Sequence, residues 1–224
     1  MKTIVCIFAH PDDEAFGPGG TIAKLAEKHR VYLISATKGE AGKEKGKNGS
    51  KNLHKIRARE LLASAKILGV KKVFFLGFKD GDLSNNLYHA LAAKIEKILK
   101  LLKPETILTY EPRGISGHID HITVSMVSSY VFGRLPFIKT LMQFCIPEAR
   151  AKMRHGYFIY FPPGYKKSEI DLVVDVRRTW GKKMKAMMQH QSQIHDIERI
   201  TKMAALFPKE DNFLIQKKSR RVSR

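Results

Sequence analysis

Thr3-Ile4-Val5-Cys6-Ile7-Phe8-Ala9-His10-Pro11-Asp12-Asp13-Glu14 is the stretch from which the fold is read. Residues 3–9 form a continuous apolar run that ends at a proline turn, the pattern of a strand buried on both faces. Such strands belong to parallel sheets covered by helices. They deliver their last residues to the carboxyl edge of the sheet, where α/β proteins place their chemistry. Here that edge receives one histidine and three successive acids. Neighbouring carboxylates repel, so the cluster is costly unless a cation relieves it. His10 offers an imidazole nitrogen and Asp12 or Asp13 an oxygen, a donor mix that suits zinc better than magnesium or calcium. The plain alternative is a solvated acidic turn.

Outward from this strand the pattern alternates. A helix is expected over about 20–28, after the Gly17-Pro18-Gly19-Gly20 turn. A strand follows over 31–36, then a Gly/Lys/Asn-rich loop over 38–52. Further on come a helix over 53–68, a strand over 72–76, a helix over about 86–101 and a strand over 106–110. Strands alternating with helices imply right-handed βαβ units. The expected fold is therefore α/β and Rossmann-like, a mainly parallel sheet with helices on both faces. Beyond residue 130, prolines at 136, 147, 162 and 163 interrupt the pattern. Tyr157-Phe158-Ile159-Tyr160 and Asp171-Leu172-Val173-Val174-Asp175-Val176 read as later strands, and 178–205 as helix. One domain is expected over 1–215, followed by a flexible basic tail over 216–224. The glycines at 17–20 lack the Gly-x-Gly-x-x-Gly spacing, and the acids before them would repel a pyrophosphate. A tight turn and close helix packing explain them better.

A second cluster, Gly117-His118-Ile119-Asp120-His121, follows the strand ending at Tyr110 and the turn Glu111-Pro112-Arg113-Gly114-Ile115-Ser116. His118 and His121 are three residues apart, so near a helix start both can face one side. Two strand-end clusters with three histidines between them point to one shared metal. Asp120 reads equally as a partner to a histidine or as an acid favoured by a helix N-terminus.

These residues together resemble the LmbE-like, or PIG-L, family of zinc-dependent N-deacetylases. Weaker pieces follow in family order: Arg57-Ala58-Arg59-Glu60-Leu61 with Leu68-Gly69-Val70, Leu76-Gly77-Phe78-Lys79-Asp80-Gly81, and His190-Gln191-Ser192-Gln193. The resemblance implies zinc held by His10, Asp13 and His121, with an open position for water. Asp12 is then free as general base. His118 is placed to stabilise the oxyanion, and Asp120 to orient one histidine of its pair. Either Asp12 or His118 can return a proton to the leaving amine. Arg57 and Asp80 are candidates for binding substrate, and Glu14 for holding the site loop. His190 and Gln193 have no evident role beyond a packed helix face. Ser116 has no base at a recognisable spacing, so no serine nucleophile is expected. The implied substrate is an N-acetylglucosamine conjugate whose other half is unspecified.

The composition fits such an enzyme and adds one anomaly. The chain has 224 residues, 43% of them hydrophobic, enough for one cored domain. Two distant cysteines, Cys6 and Cys145, do not suggest a disulfide scaffold. No cleavable leader or spanning run is visible, so a cytoplasmic location is expected. The formal net charge is +20. That excess favours anionic partners, whether an anionic sugar conjugate, a phospholipid headgroup or nucleic acid bound nonspecifically. It also supports an alternative of a different class, a basic nucleic-acid- or anion-binding module without hydrolase activity, although no recognition motif sharpens it.

Overall fold

The computed structural model of the chain describes residues 1–42, 52–153 and 160–218. Seven strands form one sheet: β1 (Thr3–Phe8), β2 (Arg30–Ser35), β3 (Lys72–Phe75), β4 (Thr106–Tyr110), β5 (Thr140–Cys145), β6 (Leu172–Asp175) and β7 (Glu210–Lys217). Their order is β3-β2-β1-β4-β5-β7-β6. Strands β1 to β5 pair in parallel, and β7 is antiparallel to both β5 and β6. The expected Rossmann-like architecture is the one observed. The strand order reverses between β1 and β4, and such a switch point opens a crevice at the carboxyl edge. Both histidine clusters lie there.

The helices are α1 (Asp13–Phe16), α2 (Gly19–Ala26), α3 (Leu53–Leu68), α4 (Tyr88–Leu102), α5 (Gly114–Gly117), α6 (Ile119–Arg134), α7 (Glu148–Ala151), α8 (Trp180–Met187) and α9 (Ile194–Ala205). Side chains alternate across β1, so its residues divide between two cores. Ile4, Cys6 and Phe8 pack with Ile22 of α2, Leu61 of α3 and Ala186 of α8. Val5 and Ile7 pack with Leu91 and Ile95 of α4 and Val124 of α6. The glycines after β1 serve packing, as expected. A Cβ on Gly17 would stand 2.8 Å from the Tyr110 ring, and one on Gly20 would stand 2.6 Å from Val176.

The second half departs from the expectations. The single helix expected over 178–205 is two, α8 and α9, because a short turn at His190 buries that side chain beneath the site. Strand β5 escaped notice among the prolines. Strand β7 escaped because Asp211, Asn212 and Gln216 break its apolar run; the structure satisfies Asp211 with Lys183 and Thr21 instead. Gln216 and Lys217 therefore end a strand rather than begin a tail, and Lys218 bonds through its backbone to Lys139. Residues 219–224 lie outside the described residues, as do 157–159 of an expected strand and Lys43 to Lys51 of the lysine loop. Tyr160 is in no strand. Among the described residues no helix is long and apolar enough to cross a membrane.

Candidate active site

The hydrogen bonds around the two clusters fix which atom of each side chain faces inward. His121 Nδ1 lies 3.1 Å from the Gly114 carbonyl, which can only accept, so Nδ1 carries the proton and the Nε2 lone pair points away from it. His10 Nε2 lies 2.9 Å from Asp80 and 3.1 Å from Asp120, two acceptors that fix the proton on Nε2 and leave Nδ1 as the lone pair. His10 Nδ1 and His121 Nε2 face each other, 3.1 Å apart. Asp13 completes the gap: its Oδ1 is 3.3 Å from His121 Nε2 and its Oδ2 is 3.9 Å from His10 Nδ1. Ligands about 2.0–2.1 Å from a tetrahedral zinc stand roughly 3.3–3.4 Å from one another. The donor set and its spacing therefore fit a metal ion.

His118 stands apart from this set although it is near it. Its donor atoms lie within 4.8 Å of those of His10 and His121. However, its Nδ1 accepts from the Asp120 backbone N–H at 3.1 Å, capping α6. The proton must then sit on Nε2, which makes His118 a donor rather than a ligand. Burial, with the charges of His121 and His10, pushes its pKa down to about 4, so the ring is neutral near pH 7.

The acids divide by environment. Burial opposes ionisation of Asp13, but His121, His10 and backbone N–H groups from Ala9 and His10 hold it well below the usual carboxylate range. Burial pushes Asp12 up to about 7, against the pull of the Arg57 guanidinium and with a further push from Asp13. For His10, burial favours the neutral ring, but Asp120 and Asp80 outweigh it and raise the pKa to about 10 in the absence of a metal.

Asp12 is held in a strained conformation. Its φ of 111° lies in the left-handed region, which a non-glycine residue rarely adopts. Its backbone N–H donates to Glu14 Oε2 at 3.1 Å. Its carboxylate Oδ2 accepts from Arg57 Nη2 at 2.8 Å, which leaves Oδ1 for another partner. Glu14 is fully buried and also binds Ser64 at 2.5 Å and His190 Nε2 at 2.8 Å.

The sequence-derived candidates thus converge, with changes of role. His10, Asp13 and His121 surround one point, with Asp12 and His118 beside it. Asp120 reaches His10 with its carboxylate rather than a histidine of its own pair. Asp80 also supports His10. Arg57 is buried and spends its hydrogen bonds on Asp12, Pro11 and Gly39 rather than facing a cleft. Glu14 holds the loop as anticipated, and His190 acquires a partner that the sequence did not suggest. Three further residues were missed. Tyr110 donates to the Asp13 carbonyl at 2.8 Å. Glu111 accepts from the backbone of Arg113 and Ile115, and Tyr165 donates to it at 2.7 Å. Glu111 follows the end of β4 as the acidic motif follows β1, and that position was the available signal.

Residues 5–131 match the sequence profile of the PIG-L family, described as GlcNAc-PI de-N-acetylase. The chain belongs to this family. Among PIG-L relatives, a probable N-acetyl-alpha-D-glucosaminyl L-malate deacetylase 2 of Bacillus cereus is 30% identical over 197 residues, covering 86% of this chain and 84% of that protein. The diacetylchitobiose deacetylase of Thermococcus kodakarensis is 29% identical, over 86% of this chain and 70% of that protein. These relatives are named as deacetylases, which are amide hydrolases. The structure of N,N'-diacetylchitobiose deacetylase from Pyrococcus horikoshii superposes with a TM-score of 0.73 at 23% identity, over 96% of this chain and 84% of that one. A 4-carboxy-2-hydroxymuconate hydratase from Pseudomonas putida KT2440 shares the fold with a TM-score of 0.74 at 17% identity, over the whole of both chains. One fold therefore carries more than one reaction, and the reaction must be argued from side chains.

Proposed function

We propose that this PIG-L protein is a zinc-dependent N-deacetylase acting on an N-acetylglucosamine-type conjugate. The observation that carries the reading is the donor arrangement: His10 Nδ1, His121 Nε2 and the Asp13 carboxylate turned toward a common point, with Asp12 and His118 beside it. His10 Nδ1, Asp13 and His121 Nε2 would hold the ion. When bound, zinc supplies a more acidic water and polarises the amide carbonyl.

The remaining steps belong to the protein. Asp12 Oδ1 takes the proton of the attacking water; a carboxyl pKa near neutrality suits that task. His118 Nε2–H donates to the carbonyl oxygen as negative charge develops on it. The leaving nitrogen then needs a proton. His118, neutral near pH 7, is a poor acid, whereas Asp12 has just been protonated and can return it. Arg57 keeps Asp12 aimed, and Asp80 and Asp120 keep His10 in its ligating tautomer. The acetyl group and the glucosamine conjugate are carried over from the named relatives.

The test is metal analysis of purified protein together with release of primary amine from a panel of N-acetylglucosamine derivatives. Zinc near one equivalent and chelator-sensitive amine release are expected. Protein that binds zinc yet releases amine from none of the panel overturns the substrate class. Protein that binds no zinc overturns the reading itself.

A further inference from the structure

Among the described residues, charge is not spread evenly over the fold. The carboxylates gather at the carboxyl edge of the sheet, where Asp12, Asp13, Glu14, Asp80, Glu111 and Asp120 surround the site. The opposite edge, where the parallel strands begin, is lined with cations. Lys2 precedes β1, Arg30 begins β2, Lys72 begins β3, Lys103 precedes β4, Lys139 precedes β5 and Lys217 ends the antiparallel β7. All six are exposed. Strand pairing sets them side by side: Thr3 is in register with Arg30, Tyr32 with Lys72, and Thr140 with Lys217. At about 4.8 Å per strand, the row from β3 to β7 spans roughly 24 Å.

Among the described residues, one cation of this row, Lys2, is paired with an acid. Glu105 is bound to Lys2 at 3.3 Å, and Glu96 to Lys100 and Arg134. Lysines near helix C-termini, such as Lys66 and Lys100, have an ordinary explanation in the helix dipole. Strand starts carry no such dipole, so Lys2, Arg30, Lys72 and Lys139 are unexplained by it. Burial, and then the nearby charge of Lys139, lowers the pKa of Lys218.

Apolar groups accompany the lysines. Leu101, at the end of α4, is 76% exposed. An open groove between α3 and β3 has Leu62, Val70 and Val73 in its walls, with Lys66, Lys71 and Lys72 beside them. A nucleic-acid backbone offers no apolar phase to Leu62 and Leu101. The lysines also lack the bidentate fork by which arginine reads phosphate. A lipid interface satisfies both kinds of group at once.

We propose that this edge docks the protein on an anionic lipid bilayer, with the lysines over the headgroups and Leu62 and Leu101 at the interface. The active site then faces away from the bilayer, open to a water-soluble substrate. The proposal does not depend on the reaction catalysed.

The test is flotation of the full chain with vesicles of phosphatidylcholine, with or without about one-third phosphatidylserine, at low and moderate salt. Two charge-matched variants are compared: Lys2→Gln/Lys72→Gln/Lys139→Gln at the edge, and Lys152→Gln/Lys166→Gln/Lys167→Gln on the site side. Wild type should bind only the phosphatidylserine vesicles, and less at higher salt. The edge variant should lose on the order of 100-fold in partition, about fivefold per lysine at an anionic surface. The site-side variant should lose little, and both should keep the wild-type melting temperature. Equal loss in the two variants would mean general charge attraction and overturn the proposal. So would failure of wild type to bind at low salt, or binding of a single-stranded oligonucleotide through the same lysines with no vesicle binding.

Discussion

Replacing His190 by Ala should damage the protein out of proportion to the side chain removed. His190 and Glu14 are both completely buried and lie 2.8 Å apart. Burial favours neutral His190, but the Glu14 charge and hydrogen bond prevail and raise its pKa. The contact is a fully buried one between a histidine N–H and a carboxylate, and removing one partner of a buried charged contact costs about 3–5 kcal/mol. In a chain of this size, 1 kcal/mol moves Tm by about 2–4 °C, so a fall of roughly 6–20 °C is expected by calorimetry. Because Glu14 also anchors the strained Asp12 backbone, turnover should fall in the protein that remains folded, with zinc content preserved. His190→Gln keeps an N–H donor and should recover much of the stability. The sign of the pH dependence is fixed as well. A histidine whose pKa is raised in the folded state stabilises fully below its unfolded value, about 6.5, and loses that contribution as pH rises through the folded value. The Tm gap between wild type and His190→Gln should thus narrow toward alkaline pH. A His190→Ala protein that melts within about 2 °C of wild type would refute a strong His190–Glu14 interaction, since that corresponds to no more than about 1 kcal/mol.

Asp12→Asn should retain zinc and lose about 10²–10⁴-fold in kcat, read by amine release. His118→Gln should lose on the order of 10²–10³-fold in kcat with metal affinity near wild type; loss of the metal instead would make His118 a ligand. Asp120→Asn replaces an acceptor of the His10 proton and should weaken zinc affinity about 10–100-fold in a chelator competition. Lys183→Met leaves Asp211 charged and buried, so it should cost about 3–5 kcal/mol in denaturant unfolding, and adding Asp211→Asn should recover part of that. If the losses of Lys183→Met and Asp211→Asn simply add in the double variant, the Lys183–Asp211 contact of 3.1 Å carries no net interaction.

The first half of the fold was legible because each strand is a clean apolar run with a turn at its end. The proposed metal triad was legible for a related reason: acids and histidines following such runs have few structural uses. What stayed hidden depends on contacts far apart in sequence. The turn that divides α8 from α9 is set by His190 reaching Glu14, 176 residues away. Strand β7 looks too polar until Asp211 is seen to meet Thr21 and Lys183. Arg57 reads from the sequence as a candidate for binding substrate, and only its burial against Asp12 reveals its positioning part. The tautomers of His10, His118 and His121 follow from a carbonyl, two carboxylates and an amide that no local pattern names.

The placement of β7 also constrains how the chain can be made. Strand β5 pairs with β4 on one side as soon as residues 140–145 emerge, but its other side waits for residues 210–217. During synthesis the chain therefore carries an open strand, Thr140–Cys145, whose residues other than Thr140 end up buried. Such an unpaired edge is where another nascent chain can add on. The last strand acts as the closing stave of the sheet, and shortening the chain ahead of it should yield aggregation rather than a smaller working enzyme.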